Sequence, residues 1–348
     1  MTSSLGVHSS AAFIEQILRE GGARGVHTQV VGILRAGSRA LGTVSPTKAP
    51  KPSGRTLFEI GSLTKVFTGT LLAEMHLRGE VDLSDPLSRH LPQRDAPSWR
   101  RRAPTLEELA THRSSLPNTP RPLARRELLA ALGVVRGDPW EGVTDEDYRR
   151  MLRAARPRRA PGGRVRYSSV GFGLLGDALA RRANSPFDQL LKRSVCLPLG
   201  LTDTSIDVSV QAMPRLLQGR SRRGAPRPPL RDSMPAAGSL RSSAGDLLAF
   251  LEACLGPPTD RLGEALALAQ HPRAQINRHL SVGLGWLTVR RRGRPPVVWH
   301  NGGTWGFRSF AAFVPDEGVA VVVLSNSARS VDRLGFKLID LRVRGCAP

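Results

Sequence analysis

The segment Ser62-Leu63-Thr64-Lys65 places a serine three residues before a lysine, at the start of a long apolar stretch. In a helix this spacing brings both side chains to the same face, within reach of each other. A serine hydroxyl alone is a weak nucleophile, but a partly desolvated lysine can help to remove its proton, and a helix N-terminus favours negative charge developing nearby. The pattern predicts a nucleophile at Ser62 with Lys65 as its proton partner.

The same S-x-x-K pattern occurs a second time, at Ser45-Pro46-Thr47-Lys48. Pro46 breaks helical geometry there and no apolar helix follows, so that copy has no scaffold for the chemistry. For Ser62 the alternative is an ordinary N-cap, which is a common use of serine before an apolar helix. On this motif alone both interpretations of Ser62 stay open.

A second candidate group is Tyr167-Ser168-Ser169, which follows Gly162-Gly163 and contains one of the two tyrosines in the chain. A phenol held against a lysine can accept a proton, because the nearby cation stabilises the phenolate. A tyrosine before an apolar helix can equally be a core residue. Tyr167 is therefore a candidate base if it lies close to Lys65 in the folded chain.

A third group, His300-Asn301-Gly302-Gly303, stands between two strand-like segments, Val297–Trp299 and Ser309–Val314. Glycines let backbone approach a ligand closely, and an edge strand can offer N–H groups to an oxyanion and main-chain partners to a substrate. The alternative is a glycine-rich hairpin turn. The three groups together, in this order and on these elements, favour one catalytic site.

Strands are predicted at both ends of the chain, with helices between them. Hydrophobic periodicity predicts a helix over Ala11–Arg19, then a hairpin of Val30–Leu34 with Ala40–Val44. A buried helix is predicted over Ser62–Arg78, with Gly79 as its C-terminal stop. Further helical patterns cover Thr105–Ala110, Tyr148–Ala155, Gly171–Arg182 and Ser243–Leu255.

The last part of the chain changes character. Strand patterns cover Val282–Val289, Val297–Trp299, Ser309–Val314 and Val319–Leu324, and an amphipathic stretch follows at Asp332–Leu341. Strands at both ends predict one sheet closed by the two termini. The Arg- and Pro-rich segment Arg220–Arg231 is predicted to be a loop.

The composition fits a globular protein: the chain has 348 residues, 40% of them hydrophobic, which can fill a sizeable core. Its formal charge of +22 comes with 46 arginines and 5 lysines, so the basic character is carried by arginine. The arginines are spread in short runs without aromatic interleaving or a basic arm. We therefore expect solvated arginine faces and consider a nucleic-acid partner unlikely.

The sequence has few features that indicate a cellular compartment or a membrane anchor. Cys196, Cys254 and Cys346 have no C-x-x-C spacing and form an odd set, so reduced thiols are expected. Residues 1–10 lack a basic n-region, and no stretch of 18 apolar residues predicts a membrane span. The expectation is a cytoplasmic protein with no membrane span.

One motif of another enzyme class occurs, Gly171-Phe-Gly-Leu-Leu-Gly176, which fits the G-x-G-x-x-G dinucleotide fingerprint. It lacks the preceding buried strand and the βαβ context, so close helix packing explains the glycines better. The chain contains no G-x-S-x-G, H-E-x-x-H or P-loop motif. No cofactor and no metal site is predicted.

With these motifs the sequence resembles the class C β-lactamase-like superfamily, which includes DD-peptidases, family VIII esterases and D-amino-acid peptidases. The resemblance spans about Val26 to Leu341. The segments that carry the resemblance are Phe58-Glu-Ile-Gly-Ser-Leu-Thr-Lys65, Gly79-Glu-Val-Asp-Leu-Ser-Asp-Pro86, Leu109-Ala-Thr-His-Arg-Ser-Ser-Leu-Pro117, Tyr167-Ser-Ser-Val-Gly-Phe-Gly-Leu-Leu-Gly176, Pro198-Leu-Gly-Leu-Thr-Asp203 and His300-Asn-Gly-Gly-Thr-Trp-Gly306.

The resemblance implies a fold of the α/β (α+β) class: a mainly antiparallel sheet flanked by helices, with an inserted, mainly helical lobe. Residues 1–348 would form one domain, with the sheet lobe at about 11–60 and 281–348 and the helical region at about 61–280. It also implies that Ser62 is the acylated nucleophile, Lys65 its proton partner and Tyr167 the base that later activates water.

The third motif would begin at His300, which the resemblance places among the catalytic residues. The backbone N–H groups of Ser62 and Gly303 would form the oxyanion hole. Substrate contacts are expected from Ser169, Asn301 and Gly302. Two positions depart from the family pattern, since Ser169 stands where Asn is common and His300 where Lys is common. Both changes weigh against β-lactam turnover and leave the nucleophile machinery intact.

The sequence therefore predicts a serine hydrolase that acts on small acyl substrates, with carboxylic esters preferred. A β-lactamase or a D-amino-acid peptidase or transpeptidase remains an alternative, because an arginine-rich cleft can supply the cation missing from the third motif. An alternative of another class is a non-catalytic acyl-binding or regulatory homologue.

Overall fold

Antiparallel strands from both ends of the chain form the main sheet. The computed structural model describes residues 13–18, 27–46, 51–92, 95–131, 134, 142–230 and 234–343. The strands of this sheet are β1 Gln29–Arg35, β2 Ser38–Val44, β5 Ala274–Asn277, β6 Leu280–Val282, β7 Leu287–Val289, β8 Val297–Gly303, β9 Arg308–Val314 and β10 Val319–Ser325. Within the described residues these eight strands pair in the order β2-β1-β10-β9-β8-β7-β6-β5.

The sheet is buried on both faces at its centre. Along β10, Ala320, Val322 and Leu324 face the larger core cluster. Val319, Val321 and Val323 face a second cluster on the other side. Successive side chains of a strand point to opposite faces, so a strand covered on both sides is apolar at every position. All seven residues of β10 are buried.

Helices cover the two faces and fill the middle of the chain. Their bounds are α1 residues 13–18, α2 Thr64–Leu77, α3 Leu106–Ala110, α4 Arg121–Ala131, α5 Asp145–Ala154, α6 Ser169–Arg182, α7 Phe187–Leu191, α8 Pro235–Gly238, α9 Ala244–Leu255, α10 Arg261–Gln270 and α11 Asp332–Val343, with a π-helical turn at Lys192–Cys196. Helix α9 packs on β1, β9 and β10, and α11 packs on β9 and β10. The second cluster joins residues of α1 and α11, so these two helices share that face.

Helix α2 runs through the core and carries the first motif. Twelve of its residues, Thr64 to Met75, are buried, so the helix is enclosed by protein around its whole circumference. It packs against α10 and α8. A short sheet of β3 (Leu57–Glu59) and β4 (Arg241–Ser243) leads into its N-terminus. The start of α2 is thereby held between the sheet and the helical part of the chain.

The predicted fold class is confirmed, including the mainly antiparallel sheet and the flanking helices. The opening hairpin, the long helix α2 and the terminal helix α11 lie where the hydrophobic patterns place them. The segment Val282–Val289 is not one strand: Gly283 N donates to Trp286 O in a tight turn, where Gly285 has φ +89°. A period-two pattern cannot show such a turn when the turn residues are themselves apolar.

The glycines of the G-x-G-x-x-G motif lie in helix α6 and serve packing. A Cβ on Gly176 would lie 2.2 Å from the Cβ of Ala236. This close approach requires glycine there, as the packing interpretation predicts. The motif forms no phosphate-binding turn after a strand, because Ser169–Arg182 is helical throughout.

Three further expectations have structural outcomes. Cys196 and Cys254 are buried and free, whereas Cys346 lies outside the described residues. None of the described helices has the length and apolar character needed to cross a membrane. Residues 220–230 form a loop, as predicted, and Arg220 bridges to Pro226 and Ser327; residue 231 lies outside the described residues.

Candidate active site

Ser62 lies on a turn that joins β3 to α2. Gly61 has φ +52° and begins a 3₁₀ turn, Gly61–Leu63, which continues directly into the helix. Neither this turn nor α2 has a side-chain N-cap. The Ser62 hydroxyl therefore does not cap the helix, and the N-cap alternative has no support in the structure. Lys48 of the second S-x-x-K copy lies outside the described residues.

Lys65 lies one turn further along α2 and is fully buried. Its Nζ donates to Ser62 Oγ at 3.1 Å and to the carbonyl oxygen of Ala237 at 2.6 Å. None of the described carboxylates forms an ion pair with it. Burial disfavours the ammonium form and lowers the pKa of Lys65 to about 7. A substantial fraction of the amine is therefore neutral near pH 7, and a neutral amine can accept the Ser62 proton.

Tyr167 lies against the same two residues. Lys65 Nζ stands 4.9 Å from the centre of the Tyr167 ring. Although 41% of Tyr167 is exposed, burial of its hydroxyl raises the pKa of the phenol, and hydrogen bonding with Ser62 offsets part of this rise. The resting form is therefore the neutral phenol. The sequence predicts that the lysine cation stabilises a phenolate, but burial of the amine weakens that effect because it favours neutral Lys65.

Two buried histidines flank Tyr167. The His112 ring lies 4.5 Å from the Tyr167 ring and the His300 ring lies 6.4 Å from it, measured between centroids. Burial lowers the pKa of both imidazoles, that of His300 to about 3, and the Lys65 charge acts in the same direction. Both histidines are thus neutral near pH 7. His112 was not predicted as a site residue from the sequence, although it lies inside a segment, Leu109–Pro117, that resembles the family.

The backbone of Gly303 meets the turn that carries Ser62. A Cβ on Gly61 would lie 2.6 Å from Gly303 N and 2.7 Å from Gly303 O, so these two backbone segments touch. Glycine at position 61 permits this approach. The N–H groups of Ser62 and Gly303, which we expected to form an oxyanion hole, therefore belong to adjoining segments beside the Ser62 hydroxyl.

The residues of the third motif point to different sides of strand β8. The strand β8 continues through all four residues, so the glycines are not a hairpin turn. His300 is buried near Tyr167, and its Nδ1 donates to Asn301 O at 2.5 Å, which leaves Nε2 without a partner in the described residues. Asn301 donates from Nδ2 to Asp332 of α11 at 2.8 Å, away from the cavity.

Of the three expected substrate contacts, the structure brings only Ser169 to the cavity. A Cβ on Gly302 would lie 1.9 Å from Ile60 O, so Gly302 is a packing position under the Ser62 turn. Ser169 donates from Oγ to Asn118 Oδ1 at 3.0 Å. Asn118 was missed from the sequence, yet it brings a carboxamide to the cavity beside the serine that replaces the family asparagine.

A cavity of about 930 Å³ opens at Ser62. Its wall includes Tyr167, Ser169, Asn118 and Gly303, whereas Lys65 and His300 stand behind it. Glu59 of β3 holds two sides of this wall together. It accepts from Thr304 Oγ1 at 2.6 Å and from Leu230 N at 2.7 Å. This volume suits a small ligand.

The donor atoms of this site suit covalent acyl chemistry. They are a hydroxyl, an amine, a phenol and backbone N–H groups around one cavity. Within the ranges that the structure describes, no three His, Cys, Asp or Glu residues are grouped so as to hold a metal ion. A nucleophile within hydrogen-bond reach of a base, next to oxyanion donors, is the arrangement used for acyl transfer.

Comparison with known proteins agrees with this geometry. The beta-lactamase family profile matches residues 11–343. The chain is 29% identical over 333 residues to the D-alanyl-D-alanine-carboxypeptidase/endopeptidase AmpH of Escherichia coli K12, with 90% of this chain and 83% of AmpH covered. It is 28% identical over 306 residues to a beta-lactamase of Providencia stuartii, with 79% and 74% covered.

Solved structures of class C beta-lactamases have a fold similar to that of this chain. The class C beta-lactamase of Rhodobacter sphaeroides superposes with a TM-score of 0.74 at 25% identity, covering 92% of this chain and 95% of that one. A class C beta-lactamase mutant has a TM-score of 0.78 at 19% identity, a similarity of fold. The chain therefore belongs to the beta-lactamase family of serine hydrolases, as the resemblance of its motifs predicted.

Proposed function

We propose that this protein is a serine hydrolase that forms an acyl-enzyme at Ser62 and acts most readily on carboxylic esters. One observation carries the proposal: the buried Nζ of Lys65 lies 3.1 Å from Ser62 Oγ. The Lys65 pKa of about 7 supports the amine as the proton acceptor. Nucleophile activation of this kind requires a base within hydrogen-bond reach of the hydroxyl.

In acylation, Ser62 Oγ forms a bond to the ester carbonyl carbon while its proton passes to Lys65 Nζ. The carbonyl oxygen becomes an oxyanion, which the N–H groups of Ser62 and Gly303 stabilise. When the intermediate collapses, the bond to the alcohol oxygen breaks. The leaving alkoxide takes a proton from the Tyr167 hydroxyl, which recovers one from protonated Lys65.

In deacylation, a water oxygen attacks the acyl carbon and gives its proton to the Tyr167–Lys65 pair. The bond from the carbon to Ser62 Oγ then breaks, and the proton returns to that oxygen. The sum of both steps is ester plus water giving acid plus alcohol. Tyr167 acts here as a relay in its neutral form, in keeping with its raised pKa.

The preference for esters is supported by the two departures from the family pattern. Cleavage of an amide or β-lactam expels an amine that must be protonated and held, whereas an alkoxide or phenoxide is a better leaving group. Ser169 is turned to Asn118 and His300 is buried and neutral, so neither supplies a cation to the substrate. An ester needs mainly Ser62, its proton partners and the oxyanion hole.

A β-lactamase or D-amino-acid peptidase is the second candidate. It is supported by the names of the relatives, a carboxypeptidase/endopeptidase and a beta-lactamase, and by the carboxamide of Asn118 in the cavity. The candidate of another class is a homologue that binds acyl groups without turnover. Measured kcat/KM values for 4-nitrophenyl butyrate, nitrocefin and a D-Ala-D-Ala peptide separate these candidates, and a higher value for nitrocefin or the peptide would overturn the ester proposal.

The covalent step is tested by labelling with a serine-reactive phosphonate and measuring intact mass. Ser62→Ala should lose both the adduct and ester turnover, while Ser45→Ala, in the loop after β2, should keep both. Mapping of the adduct to a serine other than Ser62 would refute the mechanism. Labelling without any turnover on the three substrates would favour the non-catalytic homologue.

A further inference from the structure

A second cavity, of about 300 Å³, is lined by residues of helices α5 and α6 and contains none of the residues of the proposed chemistry. Its volume is at the lower end of the range for small-molecule sites. Apolar side chains form part of its wall, among them Leu91, Leu152 and Phe187. The described wall also includes two carboxylates and three guanidiniums. The cavity therefore combines an apolar surface with charges of both signs.

One of the two carboxylates, that of Asp177, has no partner among the described residues. Asp177 lies on α6 and is half-buried, and no described residue forms a hydrogen bond or an ion pair with it. Burial raises the pKa of Asp177, although the charges of Arg149, Arg153 and Arg181 act in the opposite direction. A desolvated carboxylate gains more from a charged hydrogen-bond donor than a solvated one does. Asp177 therefore suits the ammonium group of a ligand.

Two of the three arginines can bind a carboxylate of a ligand. Arg149 of α5 and Arg181 of α6 are exposed, and neither forms an ion pair with a described carboxylate. The third, Arg153, has its Nε 3.8 Å from Asp95 Oδ1. Arg181 follows Asp177 by four residues, so both side chains lie on one face of α6. Because a guanidinium matches the two oxygens of a carboxylate, the cavity offers an acceptor for an ammonium group beside donors for a carboxylate.

Helix α8 connects this cavity to Lys65. Its first residue, Pro235, lines the second cavity, whereas Ala237 lines the cavity at Ser62. The carbonyl oxygen of Ala237 accepts the hydrogen bond from Lys65 Nζ at 2.6 Å. A ligand that packs against Pro235 therefore contacts the same short helix that holds the Lys65 amine in place.

We propose that the second cavity is a regulatory site for a free α-amino acid with an aliphatic side chain. The ammonium group pairs with Asp177, the carboxylate pairs with Arg149 and Arg181, and the side chain packs on the apolar wall. An amine alone also meets the guanidiniums and an acid alone also meets Asp177, so both charges of the ligand are required. Binding acts on Lys65 through α8. That effect on catalysis rests on the proposed function, whereas binding itself does not.

Calorimetric titration with leucine at pH 7 tests the site directly. Separate titrations with L-leucine and D-leucine identify the enantiomer that fits, and that enantiomer should bind wild type with one molecule per chain. Two fragments of leucine serve as matched probes: 3-methylbutylamine lacks the carboxylate and 4-methylpentanoate lacks the ammonium group. Each should bind at least about 10-fold more weakly, the effect of a lost charge-assisted contact. Failure of both enantiomers to bind, or equal affinity for either fragment, overturns the proposal.

Substitutions locate the bound amino acid. Asp177→Asn should weaken leucine binding by about 10- to 100-fold, and Arg149→Gln/Arg181→Gln, at two exposed positions, should weaken it by a similar factor. Asp316→Asn is the control for charge, because Asp316 is exposed in the turn between β9 and β10 and lines neither cavity. An equal loss in Asp316→Asn reports net charge alone and overturns the proposal. Leucine should also bind protein whose Ser62 carries the phosphonate, and loss of binding there would place leucine in the other cavity.

Regulation is measured by ester kinetics with saturating leucine. The rate of 4-nitrophenyl butyrate hydrolysis by wild type should change by at least about 5-fold, a typical coupling between two sites. Asp177→Asn should have the wild-type rate without leucine and no response to it. Binding that leaves the wild-type rate unchanged overturns the regulatory role. If leucine binds and wild type hydrolyses no ester, the proposed function fails and the amino-acid site stands. If esters are hydrolysed and leucine does not bind, the amino-acid site fails and the proposed function stands.

Discussion

The imidazole ring of His112 packs against the phenol ring of Tyr167, with centroids 4.5 Å apart and planes inclined by 42°. His112 Nδ1 accepts from Ser168 N at 3.2 Å, and the Phe172 ring lies 5.1 Å behind it. The His112 backbone has φ +58°, a conformation unusual for a residue with a side chain. His112 therefore connects the turn that follows α3 to Ser168 by a hydrogen bond and to Tyr167, the residue that relays the proton, by ring packing.

We expect His112 to be a positioning residue for Tyr167. His112→Ala should lower kcat by about 10- to 100-fold with little change in KM, since a displaced catalytic group loses rate without losing substrate binding. His112→Asn should retain the fold better, because Asn tolerates the left-handed backbone. Steady-state kinetics and thermal unfolding of both variants check this. A near-normal kcat in a folded His112→Ala protein would contradict it.

Lys65 and Tyr167 are expected to act as one unit in proton transfer. Lys65→Ala and Tyr167→Phe should each lower kcat/KM for 4-nitrophenyl butyrate by at least about 10²-fold. The double variant should lose little more than the worse single variant, because groups acting as a unit are strongly non-additive. Near-normal kinetics of Tyr167→Phe would remove Tyr167 from the mechanism.

The rate of acylation should rise with pH around the pKa of Lys65. Neutral amine is the active form, and the pKa is about 7, so the single-turnover rate should be low at pH 5 and level off above about pH 8. Stopped-flow measurement of the phenolate burst from 4-nitrophenyl butyrate gives the profile. A midpoint above pH 9 would mean that Lys65 is protonated at neutral pH and is not the base.

The same burial predicts a pH-dependent stability. The unfolded chain has an ordinary Lys65 pKa of 10.5 and the folded chain one of about 7. Between these values the unfolded state binds more protons, so the stability of the folded state rises with pH. The free energy of unfolding of wild type relative to Lys65→Met should increase by about 1.4 kcal/mol per pH unit over that window.

Urea unfolding of both proteins at pH 7, 8 and 9 measures this difference, and other titrating groups cancel in the comparison. Lys65→Met should be the more stable protein at pH 6, where wild type carries the full cost of a buried ammonium. A difference in unfolding free energy that does not change with pH would contradict the lowered pKa.

Gly302 should tolerate no side chain. Its Cβ would lie 1.9 Å from Ile60 O and 2.4 Å from Ser309 Oγ, both of which are fixed by the hydrogen bond between them. Gly302→Ala should destabilise the protein by about 3 kcal/mol or more, since backbone must move, and should lower ester turnover. Gly163→Ala, where the nearest atom is 3.9 Å away, is the control and should change the melting temperature little.

In the third motif, the end of the strand and the directions of its side chains could not be predicted from the sequence. The sequence predicts that four consecutive residues all serve the site: His300 as a catalytic residue, Asn301 and Gly302 as substrate contacts, and Gly303 in the oxyanion hole. The strand continues through them, and alternation of side chains sends His300 towards Tyr167 and Asn301 towards α11. Sequence pattern ended the strand at Trp299, because two glycines following His-Asn resemble a turn. Where a strand ends is decided by the partner strand, here β9.

The residues missed from the sequence lie on other elements. Asn118 and Arg308 reach the cavity from the loop before α4 and from the start of β9. Neither belongs to a recognised pattern, and each is one polar residue among many. Only the packing of distant segments distinguishes them from solvated side chains. His112 was also missed, although it lies in a segment, Leu109–Pro117, that resembles the family.

The sequence by itself determined the fold class, the family and the pairing of Ser62 with Lys65. That pairing is local: three residues on one helix bring two side chains together whatever surrounds them. The tertiary structure decided the chemistry of the pair. Lys65 has its lowered pKa because α8, Tyr167 and Phe172 exclude water from it. Desolvation depends on residues a hundred or more positions away, and no local pattern contains that information.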